Sequence, residues 1–525
     1  MKNWSASSLG ALLLLLGSPV WGASLGEGMS CLSAGDLACA QEVRDQLVAG
    51  EPGAVGTQKL NLRVLFREGR YGEAVEVLDA LEAQGLDIES DDSNPYRATA
   101  AAATGLMEST AKGVRLRHAG GVEIILRDEA LEVLVASRST YDALLGGGPE
   151  HEVLLDIFPT ARRFIMASGL PPDAVRTTGV IALSKWNRLL VSSPRSTGRG
   201  YGWKDTVAHE YIHLVVAVRS GDRTPVWLQE GLAKHLENRW RGSRDTGLSA
   251  HQQSLLATAF ATGEFVAFDK FKHSMAYLDS GDEAALAFAQ VSTMVAYLLE
   301  RGGDETLASI MDRVRDGEAA ELAVAEAAGH ADFEEFRGGW LAWLSSQPLI
   351  KAKIASLPVV LDGSGGEYAE DPLLSARADL ARFARLGDLL LEAKRPMAAL
   401  VEYRKAVDPD APPSPLLMAR EATCLLELEQ PTAALKEVKH GVALYPEFTL
   451  LQVVHGRVLD AMGRTRDAMG AWQAAHDLNP FDPEVQQALA TGWTTLGNPE
   501  RAERHRRYGR ILRAGGSQDG GPVAR

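Results

Sequence analysis

Four alanines, Ala399, Ala434, Ala468 and Ala502, stand 35, 34 and 34 residues apart in the C-terminal third of the chain, and a period of that length restricts the fold there more than any other feature. Twelve positions before them stand Gly387, Ala422, Gly456 and Ala490, and seven after them Ala406, Gly441, Ala475 and Gly509, all small. Pro446 and Pro480 each follow a marker alanine by twelve. Small residues at fixed points let the two helices of a hairpin lie close together, and the proline ends the second helix.

This pattern resembles the tetratricopeptide family over residues 373–512, with Tyr403, Val438 and Trp472 supplying bulk and Arg506 in the corresponding place of the last unit. The resemblance implies an all-α solenoid whose concave surface holds extended peptides or a protein partner. At 525 residues the chain is too long for one core, and at roughly 150 residues per domain about three units are expected. The formal net charge of −15 argues against nucleic-acid binding, which needs concentrated Lys and Arg. The run Arg501, Arg504, Arg506, Arg507, Arg510 and Arg513 is the exception. It reads as the solvated face of a last helix, against the sharper alternative of a contact for an acidic partner or an anionic membrane surface.

At the other end, Lys2, the apolar run Leu9 to Leu16 and the sequence Val20-Trp21-Gly22 read as a secretory signal over residues 1–22. The apolar run is well short of the roughly 20 residues a membrane-spanning helix needs, and no later segment is apolar enough, so no transmembrane segment is expected after signal cleavage. Export to the periplasm or the medium follows as the expected location. In an oxidising compartment Cys31 and Cys39 can close a small loop, leaving Cys424 unpaired.

Between these ends the patterning changes twice. Residues 31–109 read as helical hairpins, with Tyr71 to Leu78 in the second helix of a pair. From Gly113 short β-branched runs take over: Val114 to Leu116, Val122 to Leu126, Val153 to Phe158, Gly179 to Leu183 and Leu189 to Val191, with an amphipathic helix from Glu129 to Leu145 among them. A helix is expected from Trp203 to Arg219, a second from Pro225 to Trp240, and a mostly helical lobe from Leu248 to Ser345. Residues 346–372, with Gly363-Ser364-Gly365-Gly366, are the expected linker and 513–525 a disordered tail.

The first of those helices contains His209-Glu210-Tyr211-Ile212-His213. Residues four apart on a helix lie one above the other, so both imidazoles project from one face with the glutamate beside them. Neutral imidazoles suit zinc, and a carboxylate next to an open coordination position can take a proton from water held there. A hydrolytic zinc site needs a third protein ligand, and Glu230, in Trp227-Leu228-Gln229-Glu230-Gly231-Leu232-Ala233, is the first downstream candidate. Gly231 and Ala233 remove bulk, which lets this helix approach the first.

His209-Glu210-x-x-His213 followed by that 227–233 segment resembles the gluzincin metallopeptidases, in particular the bacterial peptidase MA-like domains, over about residues 113–345. The resemblance implies an α+β domain with a small sheet and a helical lobe. It also implies Zn2+ bound by His209, His213 and Glu230, Glu210 as general base and later proton donor, and the strand Leu189 to Val191 as the sheet edge beside the cleft. The sequence departs from the family in two places. Phe288 stands where many relatives have a tyrosine that can donate to an oxyanion, leaving Tyr201, His273, Tyr277 or Tyr297, or zinc alone, for that task. Lys234 stands where some have an acidic residue that orients the first histidine, leaving Asp205 as a substitute.

The functional expectation is an exported zinc endopeptidase whose repeats recruit a protein substrate or partner. The competing expectation is a catalytically weak or inactive scaffold or chaperone that acts through its repeats.

Overall fold

The computed structural model describes residues 24–515 apart from 87–94, 174, 176–178, 245–246, 273–274, 276–277, 358 and 362–365. The expected signal and most of the expected tail lie outside the described residues. Among those described, no helix is long and apolar enough to cross a membrane. The protein is an α+β domain with one small sheet, flanked by N-terminal helical hairpins and a C-terminal helical solenoid.

The sheet has five strands: β1 (Met107–Ala111), β2 (Val114–His118), β3 (Val153–Phe158), β4 (Ala182–Lys185) and β5 (Arg188–Ser192), in the order β1-β2-β3-β5-β4. β2, β3 and β5 are parallel, while β1 and β4 run antiparallel at the two edges. Every residue of β3 and β5 is buried, as strands covered on both faces must be. β5 is therefore interior, and the open edge is β4. The expectation that Leu189 to Val191 forms the edge is corrected: the strand pairs on one side with β3 and on the other with β4. The expected strand at Val122 to Leu126 is instead a 3-10 turn, Gly121–Ile125, leading into the helix Leu126–Leu144. β1 was not anticipated.

One face of the sheet carries the helix Trp203–Ser220, here the histidine helix, packed on β4, β5 and the helix Leu126–Leu144. It ends at Gly221, whose φ of 62° a side chain would strain. The helix Val226–Leu236, here the glutamate helix, lies between the histidine helix and the long helix Gly281–Gly302. A Cβ on Gly231 would sit 2.9 Å from the Val291 carbonyl oxygen and 3.0 Å from Val295 Cγ2, so the close approach of these two helices requires glycine. The sheet, both helices and the helical lobe share one apolar core.

The N-terminal region forms helices Leu25–Ser33, Leu37–Gly50, Val55–Arg67, Tyr71–Glu82 and Pro95–Ala103, the first two joined by a Cys31–Cys39 disulfide. It docks on β5 through Arg188, which has no exposed surface and whose guanidinium lies 4.2, 4.7 and 5.1 Å from the rings of Phe66, Tyr71 and Trp186. Such stacking stabilises a desolvated cation.

The solenoid consists of four helix pairs: Ala378–Glu392 with Pro396–Lys405, Pro415–Glu427 with Pro431–Leu444, Thr449–Ala461 with Thr465–Leu478, and Pro483–Thr495 with Pro499–Gly515. The marker alanines lie fully buried on the second helices. A Cβ on Gly387 or Gly456 would fall 2.4 or 2.5 Å from the ring of Tyr403 or Trp472 sixteen residues on, which is why small and bulky positions alternate between the helices. Arg506 in the last unit is exposed and donates to Thr494 Oγ1 at 2.6 Å.

The solenoid folds back onto the sheet-containing domain. Tyr508 and Leu512 of the last helix belong to the core of that domain, and the Tyr201 N–H donates to the Leu478 carbonyl at 2.9 Å. The arginine run is not simply a solvated face: Arg504 holds Glu132 in two hydrogen bonds of 2.7 and 3.1 Å, and Arg507 pairs with Asp128, both on the helix Leu126–Leu144. Its acidic partner lies within the same chain. The segment expected as a free linker is also packed, with Ile354 in the core of the repeats and Leu361 bridged to Thr197.

Candidate metal centre

The 3.6-residue period of the histidine helix buries Trp203, Val207, Tyr211 and Leu214 and turns His209 and His213 toward the glutamate helix. His209 Nε2 and His213 Nε2 each lie 3.5 Å from Glu230 Oε2, and the three donor atoms fall within 4.8 Å of one another. Ligand atoms about 2.0–2.1 Å from a tetrahedral zinc ion stand about 3.3–3.4 Å apart. The three donors therefore have the chemistry and spacing that such an ion requires.

Glu210 turns the other way along the helix, toward β4, where the Ser184 backbone hydrogen-bonds its carboxylate. Burial raises its pKa above the usual carboxylate range, against the pull of the two histidines. Glu230 is driven the opposite way: burial would raise it, but the charge of His213 and hydrogen bonds from both histidines outweigh that and hold it well below its ordinary value. His209 is raised to about 10, because its hydrogen bonds to Glu230 and Glu237 overcome the effect of burial.

Glu237 is the residue that the sequence reading missed. Its Oε2 lies 3.1 Å from His209 Nδ1, and its Oε1 accepts from Lys234 Nζ at 2.6 Å. An Nδ1–H held by a carboxylate leaves the Nε2 lone pair free to face the other donors. Asp205, expected in that role, is instead taken by Arg241 and the Trp240 indole. A signal was present, since Glu237 stands seven residues after Glu230 and so falls on the same side of a helix.

The cleft around these groups has a volume of about 560 Å³ and is lined by residues 179–184 along the open edge of the sheet, by Gln229 and Lys234, and by Phe288 opposite. Of the four candidate oxyanion donors, Tyr201 gives its hydroxyl hydrogen to the Ser192 carbonyl and Tyr297 is bonded to His330 at 2.8 Å within the helical lobe. His273 and Tyr277 lie outside the described residues.

Residues 144–346 match a family model described as the Peptidase MA superfamily. Among curated proteins, the DnaJ homolog subfamily C member 3 of Mus musculus is 30% identical over 111 residues, which is 21% of this chain and 22% of that protein. The protein of the same description from Rattus norvegicus matches to the same extent. The chain thus spans about a fifth of the length of the curated relatives it matches. Among solved structures, native leukotriene A4 hydrolase from Saccharomyces cerevisiae covers 78% of this chain and 67% of its own, at 12% identity and a TM-score of 0.30. A crystal structure of MamA covers 29% of this chain and 83% of its own, at 16% identity and a TM-score of 0.24.

Proposed function

We propose, from the Peptidase MA superfamily domain at residues 144–346, that the chain is a zinc-dependent endopeptidase. It acts outside the cytoplasm, in the periplasm or the medium, and the repeats at 373–512 recruit its protein substrate or a partner. The observation that carries this reading is the meeting of His209, His213 and Glu230 around one point, with Glu210 between that point and an open sheet edge.

In this reading His209, His213 and Glu230 hold the metal. Zinc bound there supplies Lewis acidity, which makes water a nucleophile near neutral pH and polarises the scissile carbonyl. Glu210 accepts the proton of the attacking water and later delivers it to the leaving amine. Its burial, which favours the protonated carboxyl, suits it to hold that proton between the two steps. Among the described residues no strand pairs with the outer side of β4, so an extended substrate would add as a further strand beside the cleft. Glu237 keeps His209 in one tautomer throughout. The Cys31–Cys39 disulfide supports export, because such bonds persist in oxidising compartments.

One observation favours the second reading, an inactive scaffold or chaperone: Phe288 lines the cleft and has no hydrogen to give to an oxyanion. Digestion of a mixed peptide library separates the two. The peptidase reading expects cleavage that stops when a chelator removes the metal and returns with one equivalent of zinc. A zinc-loaded chain that cleaves nothing supports the scaffold.

A further inference from the structure

The first repeat lacks a neighbour that the other three have. Ten residues before each marker alanine stand Leu389, Cys424, Val458 and Gly492. The last three are buried, whereas Leu389 is 64% exposed, more than any other large apolar residue among those described. What covers the later positions is the second helix of the preceding repeat. A Cβ on Gly492 would collide with Met469 Sδ, and one on Gly441 would fall 2.6 Å from Leu451 Cδ2. Met469 is near the start of Thr465–Leu478 and Gly492 near the end of Pro483–Thr495, while Gly441 is near the end of Pro431–Leu444 and Leu451 near the start of Thr449–Ala461. Helices that meet between repeats therefore run antiparallel. Before Ala378–Glu392 stands only the five-residue helix Pro372–Ala376, and it leaves that side of the first repeat open.

The open side has a pattern of its own. Leu386, Leu389 and Ala393 are exposed and spaced three and four apart, so they form one strip on the side of the helix away from Gly387 and Tyr403. That is the spacing by which two helices pack along a seam. Arg385 and Glu392, both exposed and seven apart, follow one flank of the strip. Arg385 stacks on the Tyr368 ring at 5.3 Å, and among the described residues neither it nor Glu392 has an oppositely charged partner. Arg382, at the end of the strip, lies over the Phe383 ring at 4.7 Å and also meets no carboxylate. A helix face that carries a central leucine with a cation on one side of it and a carboxylate on the other is complementary to its own antiparallel copy.

We propose that a second copy of the chain docks here, the two Ala378–Glu392 helices lying antiparallel about a two-fold axis at Leu389. In such an isologous contact the same flank of each helix meets. Leu389 then packs on its counterpart, Leu386 covers Ala393 of the second copy, Arg385 pairs with Glu392 of the second copy, and Arg382 stays in solvent. The opposite end of the solenoid is docked on the sheet-containing domain, so the contact joins two molecules through their free solenoid ends. It does not depend on the peptidase reading.

Sedimentation velocity of the full-length chain tests the proposal. Two short helices bury an area at the low end of specific interfaces, below about 1,200 Å², where association is weak. A monomer–dimer equilibrium is therefore expected between about 1 and 200 μM. Leu389→Glu is expected to raise the dissociation constant about tenfold or more, and Arg385→Glu to raise it as well. Arg385→Glu combined with Glu392→Arg exchanges both charges of the pair and is expected to recover most of what Arg385→Glu alone loses. All three residues are exposed, so these replacements leave the fold intact. A wild type that stays monomeric throughout, or a dimer that Leu389→Glu leaves unchanged, overturns the proposal. So does a double exchange no tighter than Arg385→Glu alone, which would assign the open face to a foreign acidic helix.

Discussion

Glu237 does its work through two oxygens, one on His209 and one on Lys234. Replacing it with glutamine keeps the shape but removes the charge that fixes the imidazole tautomer. Loss of such a partner typically weakens metal binding by about 10–100-fold, and Glu237→Gln is expected to fall in that range when zinc is titrated against a competing chelator; unchanged affinity would show that His209 needs no such support. The contrast with the ligands explains what could be read in advance. His209 and His213 are legible from a four-residue spacing on one helix, and Glu230 from its small neighbours. Glu237 stands just beyond the last helical residue, where the spacing rule weakens, and Lys234 occupies the place where an acid was sought. A second prediction concerns Glu123, which burial raises to about 7 despite a hydrogen bond with Ser193 and the charge of Arg195. Its folded-state pKa exceeds the unfolded value, so its contribution to stability is whole below about pH 4.5 and is lost as pH rises through about 7. Glu123→Gln is therefore expected to stabilise the chain at pH 8 by up to about 3 kcal/mol, at 1.36 kcal/mol per pKa unit, and to have little effect at pH 4.5. A stabilisation independent of pH in thermal melts would contradict this.

At the scale of elements, the glutamate helix reaches the histidines only because Gly231 lets it lie against the helix Gly281–Gly302. Gly231→Ala forces the two helices apart, and overpacking of this kind costs about 1–3 kcal/mol. We expect a lower melting temperature and, because Glu230 moves with its helix, weaker zinc binding; a variant that melts lower yet binds zinc as tightly would separate the two effects. Gly231 was expected to let this helix approach the histidine helix, but the contact that requires glycine is with Gly281–Gly302, about fifty residues further along the chain. The edge of the sheet was harder to read. Leu189 to Val191 is apolar enough for any strand, and whether a strand is central or at an edge depends on what pairs with it. β4, half-exposed from Leu183 to Lys185, has the mixed character of an edge, but its apolar start drew attention away from its polar end. The turn at Gly121–Ile125 was read as a strand because five residues rich in Val and Ile give no period with which to tell a strand from a helical turn.

At the scale of the whole molecule, the repeats are attached to the sheet-containing domain at the start of the histidine helix rather than suspended from it. Lys204, in the first turn of that helix, is buried between Glu129 on one side and Asp477 of the third repeat on the other. His476 adds a hydrogen bond to Glu129 at 2.8 Å, and Gln486 links His476 to His505. The 34-residue period makes the solenoid legible, but nothing periodic records where a solenoid docks, since the docking residues occur once each and lie about 270 positions apart in the chain. Lys204→Met removes a cation from between buried Glu129 and partly buried Asp477. Stripping one partner from such a group costs on the order of 3–5 kcal/mol, reduced here to about 2–3 kcal/mol because Arg241 and His476 remain. Glu132→Gln, at the half-exposed Arg504 pair, is expected to cost less than about 1 kcal/mol, and equal losses in chemical denaturation would show that the buried network is not what joins the domains. The central claim, that this assembly presents a zinc ion and Glu210 to a peptide, is tested most directly by measuring bound zinc and peptide turnover on the same preparations of wild type and Glu210→Gln. The account predicts one zinc per chain in both and turnover lower by about 10²–10⁴-fold in the variant. Equal turnover in the two, or a wild type that holds zinc and cleaves no peptide, would contradict it.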